Sequence, residues 1–366
     1  MDEQVKKPKR HRGVGKIEGR HRVTMHDIAR VAGCSQTTVS LVLNANDAVK
    51  ISDVTKARVL EAAKTLGYSI PARSPASAGT KRKPKLLDGP IAFVVDDVAT
   101  SPEMVNAFYG VRQAVRETGN LVLLAETQNN QELEPRTLNH FIDQNVAGII
   151  YACLFTRRVE VPKILRQTDI PVLLLNCFSD DLSFPAVIPS EVAGGHAATN
   201  ALIKAGHRRV ATITGEPFME CASGRTTGYR SALASADIPF DEDLLIEGNW
   251  LPSSGHSGTQ KLMALSSPPT AIFCQNDRMA IGCYEALKEL GLLIPDDVSV
   301  IGFDDDETAR HLSPPLTSMI LPTRAMGRWV IEQLFHGPTG DQRHPLVKLE
   351  CELVERDSIA PPKTGS

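Results

Sequence analysis

Between Thr24 and Asn44 the chain carries short polar side chains whose chemistry suits contact with a nucleic acid. Gln36 and Thr37 fall in the first turn of a candidate helix. There a Gln amide can bond adenine through two hydrogen bonds, and a Thr can offer a hydroxyl or a methyl to a base edge. Thr24, Thr38, Ser40 and Asn44, with Ser35 as the expected cap of that helix, suit phosphate oxygens alongside the helix N-terminal amides. A second group, Arg225, Trp250, Asn276 and Asp304, combines a planar donor, carbonyl and carboxylate acceptors and a flat ring, which together can hold a polyhydroxyl ligand. Each has a structural alternative: Arg225 pairing within its own lobe, Trp250 filling the core, Asp304 tying its own turn.

Elements able to position the first group follow from the local pattern. Thr24 with Asp27 three residues on opens a helix, and Gly33 breaks it. Ser35 caps a second helix to about Leu43. Ser52 caps a third in which Val59, Ala63 and Leu66 share one face before Gly67. The first two form a helix-turn-helix, with Ala29 small at the crossing, Gly33 in the turn and Val39 pointing inward. Charge supports this placement. Residues 1–85 hold 18 Lys/Arg against 7 Asp/Glu, whereas the whole chain has a net charge of −3. A three-helix protein-interaction module is the alternative.

Residues 1–22 are basic with little to bury and are expected to form a disordered arm; 23–68 form the DNA-reading domain; and the Pro- and Lys-rich stretch 69–90 reads as a linker. Beyond it, apolar runs alternate with helix-length amphipathic stretches: Ile91–Val95, Leu121–Ala125, Gly148–Tyr151, Pro171–Leu175, Val210–Thr214, Thr270–Cys274 and Val298–Phe303. This rhythm predicts βαβ units with parallel sheets. The number of runs exceeds one sheet, and Ala186–Gly195 separates two sets, so residues 91–360 are expected to form two doubly wound lobes. The first covers about 91–192 and 322–344, the second about 193–321 and 345–360, with 361–366 as a tail.

Ligands of such sheets bind at the carboxyl ends of strands. Asn276 and Asp304 follow the runs ending at Cys274 and Phe303, which places both at a cleft between the lobes. The seven scattered cysteines have no metal or redox spacing and read as core residues. No phosphate loop, dinucleotide fingerprint or zinc-protease motif is present, so the chain is expected not to be an enzyme and to need neither cofactor nor metal. No apolar run approaches the ~20 residues of a membrane helix and no secretion signal opens the chain, so the expected location is cytoplasmic.

The motif D-I-A-x-x-A-G-x-S-x-x-T-V-S from Asp27 to Ser40, with Leu43-Asn44 after it and Ala62 to Tyr68 as A-x-x-L-G-Y, resembles the lactose-repressor (LacI/GalR) family of bacterial transcription regulators. Further matching stretches are Leu202 to Val210, Arg225-Thr226-Thr227-Gly228-Tyr229, Asn276 to Gly282, Pro295 to Asp305, Pro315 to Ser318, Met326-Gly327 and Arg356-Asp357-Ser358. The resemblance implies an α/β protein in which a three-helix helix-turn-helix domain precedes a two-lobed module similar to periplasmic sugar-binding proteins. It also implies a homodimeric repressor on an inverted-repeat operator in double-stranded DNA, controlled by a sugar or sugar derivative held between the lobes. In relatives a linker Leu wedges into the minor groove; that position falls here on Pro75 or Ala78, and a methyl is a poor wedge. Leu41 stands where the family usually has Arg, so relatives' target sequences do not carry over. In the first lobe Ser101-Pro102-Glu103-Met104 replaces N-P-F-F, Ser190-Glu191 replaces Asp-Asn, and Leu321 replaces a frequent Gln. Asp96, Asp97 and Glu103 are therefore expected to supply that lobe's polar contacts.

Overall fold

The computed structural model describes residues 25–34, 39, 42, 53–66, 88–98, 102–336, 344 and 346–363. The expected DNA contacts Thr24, Ser35, Gln36, Thr37, Thr38, Ser40, Asn44 and Ala78 lie outside these residues, as do the arm 1–22, nearly all of the linker and the last three residues. The chain divides into two units, 1–82 and 83–366.

In the first unit, helix α1 (Met25–Ala32) and helix α2 (Asp53–Thr65) are described, and Val39 and Val42 between them are helical. Gly33 follows α1 at φ +62°, the left-handed value that ends a helix cleanly when no Cβ opposes it. Ile28, Val39 and Val59 are fully buried, joined by Ala29, Ala32, Ala62 and Ala63, with Leu66 packed alongside. Val39 and the Val59/Ala63 face therefore point inward, as their spacing requires.

Among the described residues the second unit contains two six-stranded sheets. In the first, β1 (Ile91–Val95), β2 (Val122–Glu126), β3 (Gly148–Arg158), β4 (Val172–Phe178), β5 (Ala186–Pro189) and β11 (Leu346–Leu349) run parallel in the order β11-β5-β4-β3-β1-β2. In the second, β6 (Val210–Thr214), β7 (Leu245–Glu247), β8 (Ala271–Cys274), β9 (Ser299–Asp304) and β10 (Thr317–Ile320) are parallel, and β12 (Leu353–Val354) closes the edge antiparallel to β10.

Both faces of each sheet are covered, which explains why the strands read as continuous apolar runs and not as alternating ones. Along β1, Ile91, Phe93 and Val95 face helix α3 (Pro102–Ala114) and helix α10 (Thr323–His336), while Ala92 and Val94 face helix α4 (Leu133–Asp143) and helix α5 (Lys163–Gln167). In the second sheet, Phe273, Ile301 and Phe303 pack on helix α6 (Glu191–Lys204) and helix α7 (Glu220–Ser235), and Ile272 and Val300 on helix α8 (Pro252–Met263) and helix α9 (Asp277–Glu289). Each fully buried Ile, Val or Phe contributes about 1.5–3 kcal/mol by leaving water. Among the described residues no helix is long and apolar enough to cross a membrane.

One expected boundary shifts. Ala186 and Val187 pair with Leu174 and Leu175 in strand β5 of the first sheet, and α6 follows directly. Residues 345–360 do not belong wholly to the second lobe, because Leu346–Leu349 pairs with Ala186–Pro189 in the first sheet, so the last crossing comes after Leu349. Short edge strands of this kind carry too few residues for their sheet to be read from periodicity.

Candidate functional site

A cleft opens where carboxyl ends of strands from both sheets converge, and Arg225, Trp250, Asn276 and Asp304 all line it. Glu103, Leu154, Phe155, Thr156, Asn176, Glu191, Cys221, Arg278 and Leu321 complete its wall.

Arg225 projects from α7 and is 4% exposed. Its Nε donates to Glu191 Oε2 at 2.7 Å, its Nη1 donates to the Gln275 carbonyl and lies 3.5 Å from Asp304 Oδ1, and its Cζ sits 3.7 Å from the Phe303 ring centroid and 5.7 Å from that of Trp250. Burial alone lowers a guanidinium's pKa, but the Glu191 and Asp304 carboxyls outweigh it and leave Arg225 above its ordinary value. Helix α7 approaches α6 closely enough that Gly228 lies directly over the Val192 carbonyl, where any side chain would collide.

Asp304 ends β9 at φ +111°, followed by Asp305 at +52°. Burial pushes the Asp304 carboxyl well above the usual carboxylate range, opposed by Arg225. Asp305 is fixed by Arg356 Nη2 at 2.6 Å. Trp250 (φ +65°) and Asn176 (φ +58°) are the other wall residues in the left-handed region. Such backbone costs about 1–3 kcal/mol per residue and persists where surrounding contacts impose it, commonly at ligand sites.

Asn276 caps α9, accepting from Met279 N at 2.9 Å, and its Nδ2 donates to Trp250 O at 3.1 Å. Trp250 Nε1 donates to Met219 Sδ at 3.1 Å. The Trp250 ring stacks on Phe155 at 5.7 Å and 29°, joining the second lobe to the first. On the first-lobe side Thr156 Oγ1 lies 2.7 Å from Asn176 Oδ1 and 3.0 Å from Glu191 Oε1, and Asn176 Nδ2 donates to the Cys153 and Leu154 carbonyls at 3.0 and 2.8 Å.

Of the first-lobe acids, Glu103 reaches the wall from the first turn of α3, and burial raises its carboxyl. Asp96 does not line the cleft: it accepts from Asp97 N at 2.8 Å and Leu154 N at 2.7 Å and pairs with Arg157 Nη2 at 3.0 Å, so its carboxylate holds the β1–β3 junction. Asp97 is also absent from the wall. Phe155, Thr156 and Asn176 escape the sequence reading because β3 and β4 run past Tyr151 and Leu175, where the reading ends them. The continuing apolar run Ala152-Cys153-Leu154-Phe155 is the signal that extends β3. Among the described residues no group of His, Cys, Asp and Glu is arranged to hold a metal ion. The seven cysteines are free, and all but the half-buried Cys34 are buried.

Residues 199–359 match the periplasmic binding protein-like domain, and residues 24–70 match bacterial regulatory proteins of the lacI family. The chain is 30% identical over 340 residues to the ribose operon repressor of Haemophilus influenzae, covering 92% of this chain and 98% of that protein. It is 32% identical over 351 residues to the HTH-type transcriptional regulator CelR of Thermobifida fusca, covering 93% and 100%. Among solved structures, a CelR–cellobiose complex aligns with a TM-score of 0.65 at 29% identity over 92% of this chain and 100% of that one. The lac repressor dimer bound to operator and the anti-inducer ONPF aligns with a TM-score of 0.63 at 25% identity over 93% and 100%. With matches that span both its units, the chain belongs to the lacI family of bacterial regulatory proteins, DNA-binding transcription regulators that join a helix-turn-helix reader to an effector-binding module.

Proposed function

We propose that the protein is a cytoplasmic homodimeric repressor whose operator affinity is set by a carbohydrate-like effector held in the cleft by Arg225, Trp250, Asn276 and Asp304, with Glu103, Thr156 and Asn176 on the first-lobe side. The observation that carries this reading is the convergence of these residues, from separate strands and helices, on one cleft between the lobes. Trp250 and Phe155 supply an apolar wall, and the carboxyls and amides around them supply orientation. The relative solved with cellobiose supports a sugar as ligand, and the one solved as a dimer on operator supports DNA as partner.

Dimerisation finds support in β2, the edge strand of the first sheet, on and beside which Leu121, Leu123 and Leu124 are exposed. An apolar edge of this kind is an association surface unless covered. Two readers related by a two-fold axis would require an inverted repeat. The Phe155–Trp250 stack links the lobes, so a ligand that alters it biases their closure, and this motion is the one we assign to the control of the readers.

The test is reciprocity. Operator affinity is measured with and without a saturating sugar, and sugar affinity with and without operator; the two factors must agree. A sugar that binds the cleft yet leaves operator affinity unchanged refutes the reading.

A further inference from the structure

The hydrogen-bonding groups of the cleft are unequally used. Several of its donors are spent on the protein: Trp250 Nε1 on Met219, Asn276 Nδ2 on the Trp250 carbonyl, Asn176 Nδ2 on two carbonyls, and Arg225 Nε and Nη1 on Glu191 and the Gln275 carbonyl. Acceptors are left over. Glu103 Oε2 is buried with no hydrogen-bond partner among the described residues, and Asp304 Oδ1 lies 3.5 Å from Arg225 Nη1, an ion-pair distance too long for a strong hydrogen bond. The wall carries the carboxyls of Glu103, Glu191 and Asp304 against the guanidiniums of Arg225 and Arg278. Asp306 adds its negative field at Glu103.

A buried carboxyl oxygen without a partner is costly, and a ligand that supplies the missing donor recovers that cost on binding. A hydroxyl supplies one donor and no charge. An ammonium supplies three donors, no acceptor and a positive charge to set against three carboxyls that face only two guanidiniums. A phosphate or carboxylate would add acceptors and negative charge where both are already in excess.

Resting on the effector reading above and deepening it, we propose that the effector is a cationic, amine-bearing sugar whose ammonium group sits against Glu103 and Asp304. Burial raises both carboxyls from their ordinary values, and a bound ammonium would restore their ionised forms.

Calorimetric titration of the full chain at neutral pH tests this with D-glucosamine against D-glucose, D-galactosamine against D-galactose, and glucose 6-phosphate. The expected result is that at least one amine binds about tenfold or more tighter than its neutral parent, that the phosphate does not bind, and that Glu103→Gln brings amine and parent to similar affinity. Should that variant not fold, Asp304→Asn serves the same comparison, since Asn tolerates positive φ. Neutral sugars binding as tightly as the amines, a preferred phosphate, or no binding by either amine overturns the proposal. If a neutral sugar binds and shifts operator affinity, the cationic inference falls while the regulator reading stands. If no probe binds and operator affinity never changes, both fall.

Discussion

Arg225→Ala removes a guanidinium buried in the cleft wall, and the structure sets the size of the effect. The side chain is 4% exposed, donates to Glu191 at 2.7 Å and to the Gln275 carbonyl, and covers the Phe303 ring at 3.7 Å. Its loss leaves Glu191, itself buried, facing Asp304 without a counter-charge. Breaking a buried pair from one side costs roughly 3–5 kcal/mol, because the remaining charge stays desolvated. For a module of this size that corresponds to a fall in Tm of roughly 6–20 °C. Melting is followed through tryptophan emission, which reports the effector module alone because Trp250 and Trp329 both belong to it. The double variant Arg225→Met/Glu191→Leu removes both charges and is expected to recover at least half of the loss, since an apolar replacement of similar volume often matches a buried ion pair. Below its Tm, Arg225→Ala is expected to lose the effector response and keep its DNA affinity, because the reader forms a separate unit. A single variant that melts within about 2 °C of the parent, or a double variant no better than the single, would show that Arg225 and Glu191 do not stabilise the module as a desolvated pair.

Burial pushes the Asp277 carboxyl up to about 7, despite hydrogen bonds from Ser318 Oγ and Asp306 N. The folded state thus holds a proton that the unfolded chain releases near pH 4, and this contribution to stability is lost as the pH rises from about 4 to 7. Relative to Asp277→Asn, the parent should lose about 2 kcal/mol between pH 5 and 7.5 in denaturant unfolding; a difference that is flat or of opposite sign contradicts this. Gly215 leaves no room for a Cβ beneath the Trp250 ring, so Gly215→Ala should cost about 1–3 kcal/mol and displace that ring. In a Trp329→Phe background the emission then comes from Trp250 alone, and an unchanged spectrum and unchanged ligand affinity would show that the ring is not held there. Gln36→Ala should relax base preference more than it lowers non-specific affinity, checked by binding to matched and scrambled sites; equal losses on both count against its reading role.

The parts of the site that are legible in the sequence are those fixed by a topological rule. A doubly wound sheet presents the residues just beyond its strands, so Asn276 after β8 and Asp304 closing β9 follow from the apolar runs preceding them. Asp96 obeys the same rule after β1, yet its carboxylate turns to the Leu154 amide and Arg157. Strand position places a Cα; which way a carboxylate turns depends on neighbours that lie 58 residues away in the chain. Phe155, Thr156 and Asn176 are hidden for a related reason. The apolar run through Ala152 carries β3 as far as Phe155, but β3 then shifts register against β4 between Ala152 and Arg157, and no local pattern announces the irregularity through which Thr156 meets Asn176. The face of the helical unit is legible from Val39, Val59 and Ala63, because a 3.6-residue period and a buried face determine each other.

The measurement that tests the account most directly is selection of bound sites from a random DNA duplex pool by the purified chain, with and without each probe sugar, followed by sequencing. A dimeric reader predicts an enriched inverted repeat whose occupancy changes when a cleft ligand is present. Failure to enrich any motif, with or without sugar, would contradict the claim that this chain reads DNA sequence under the control of its cleft.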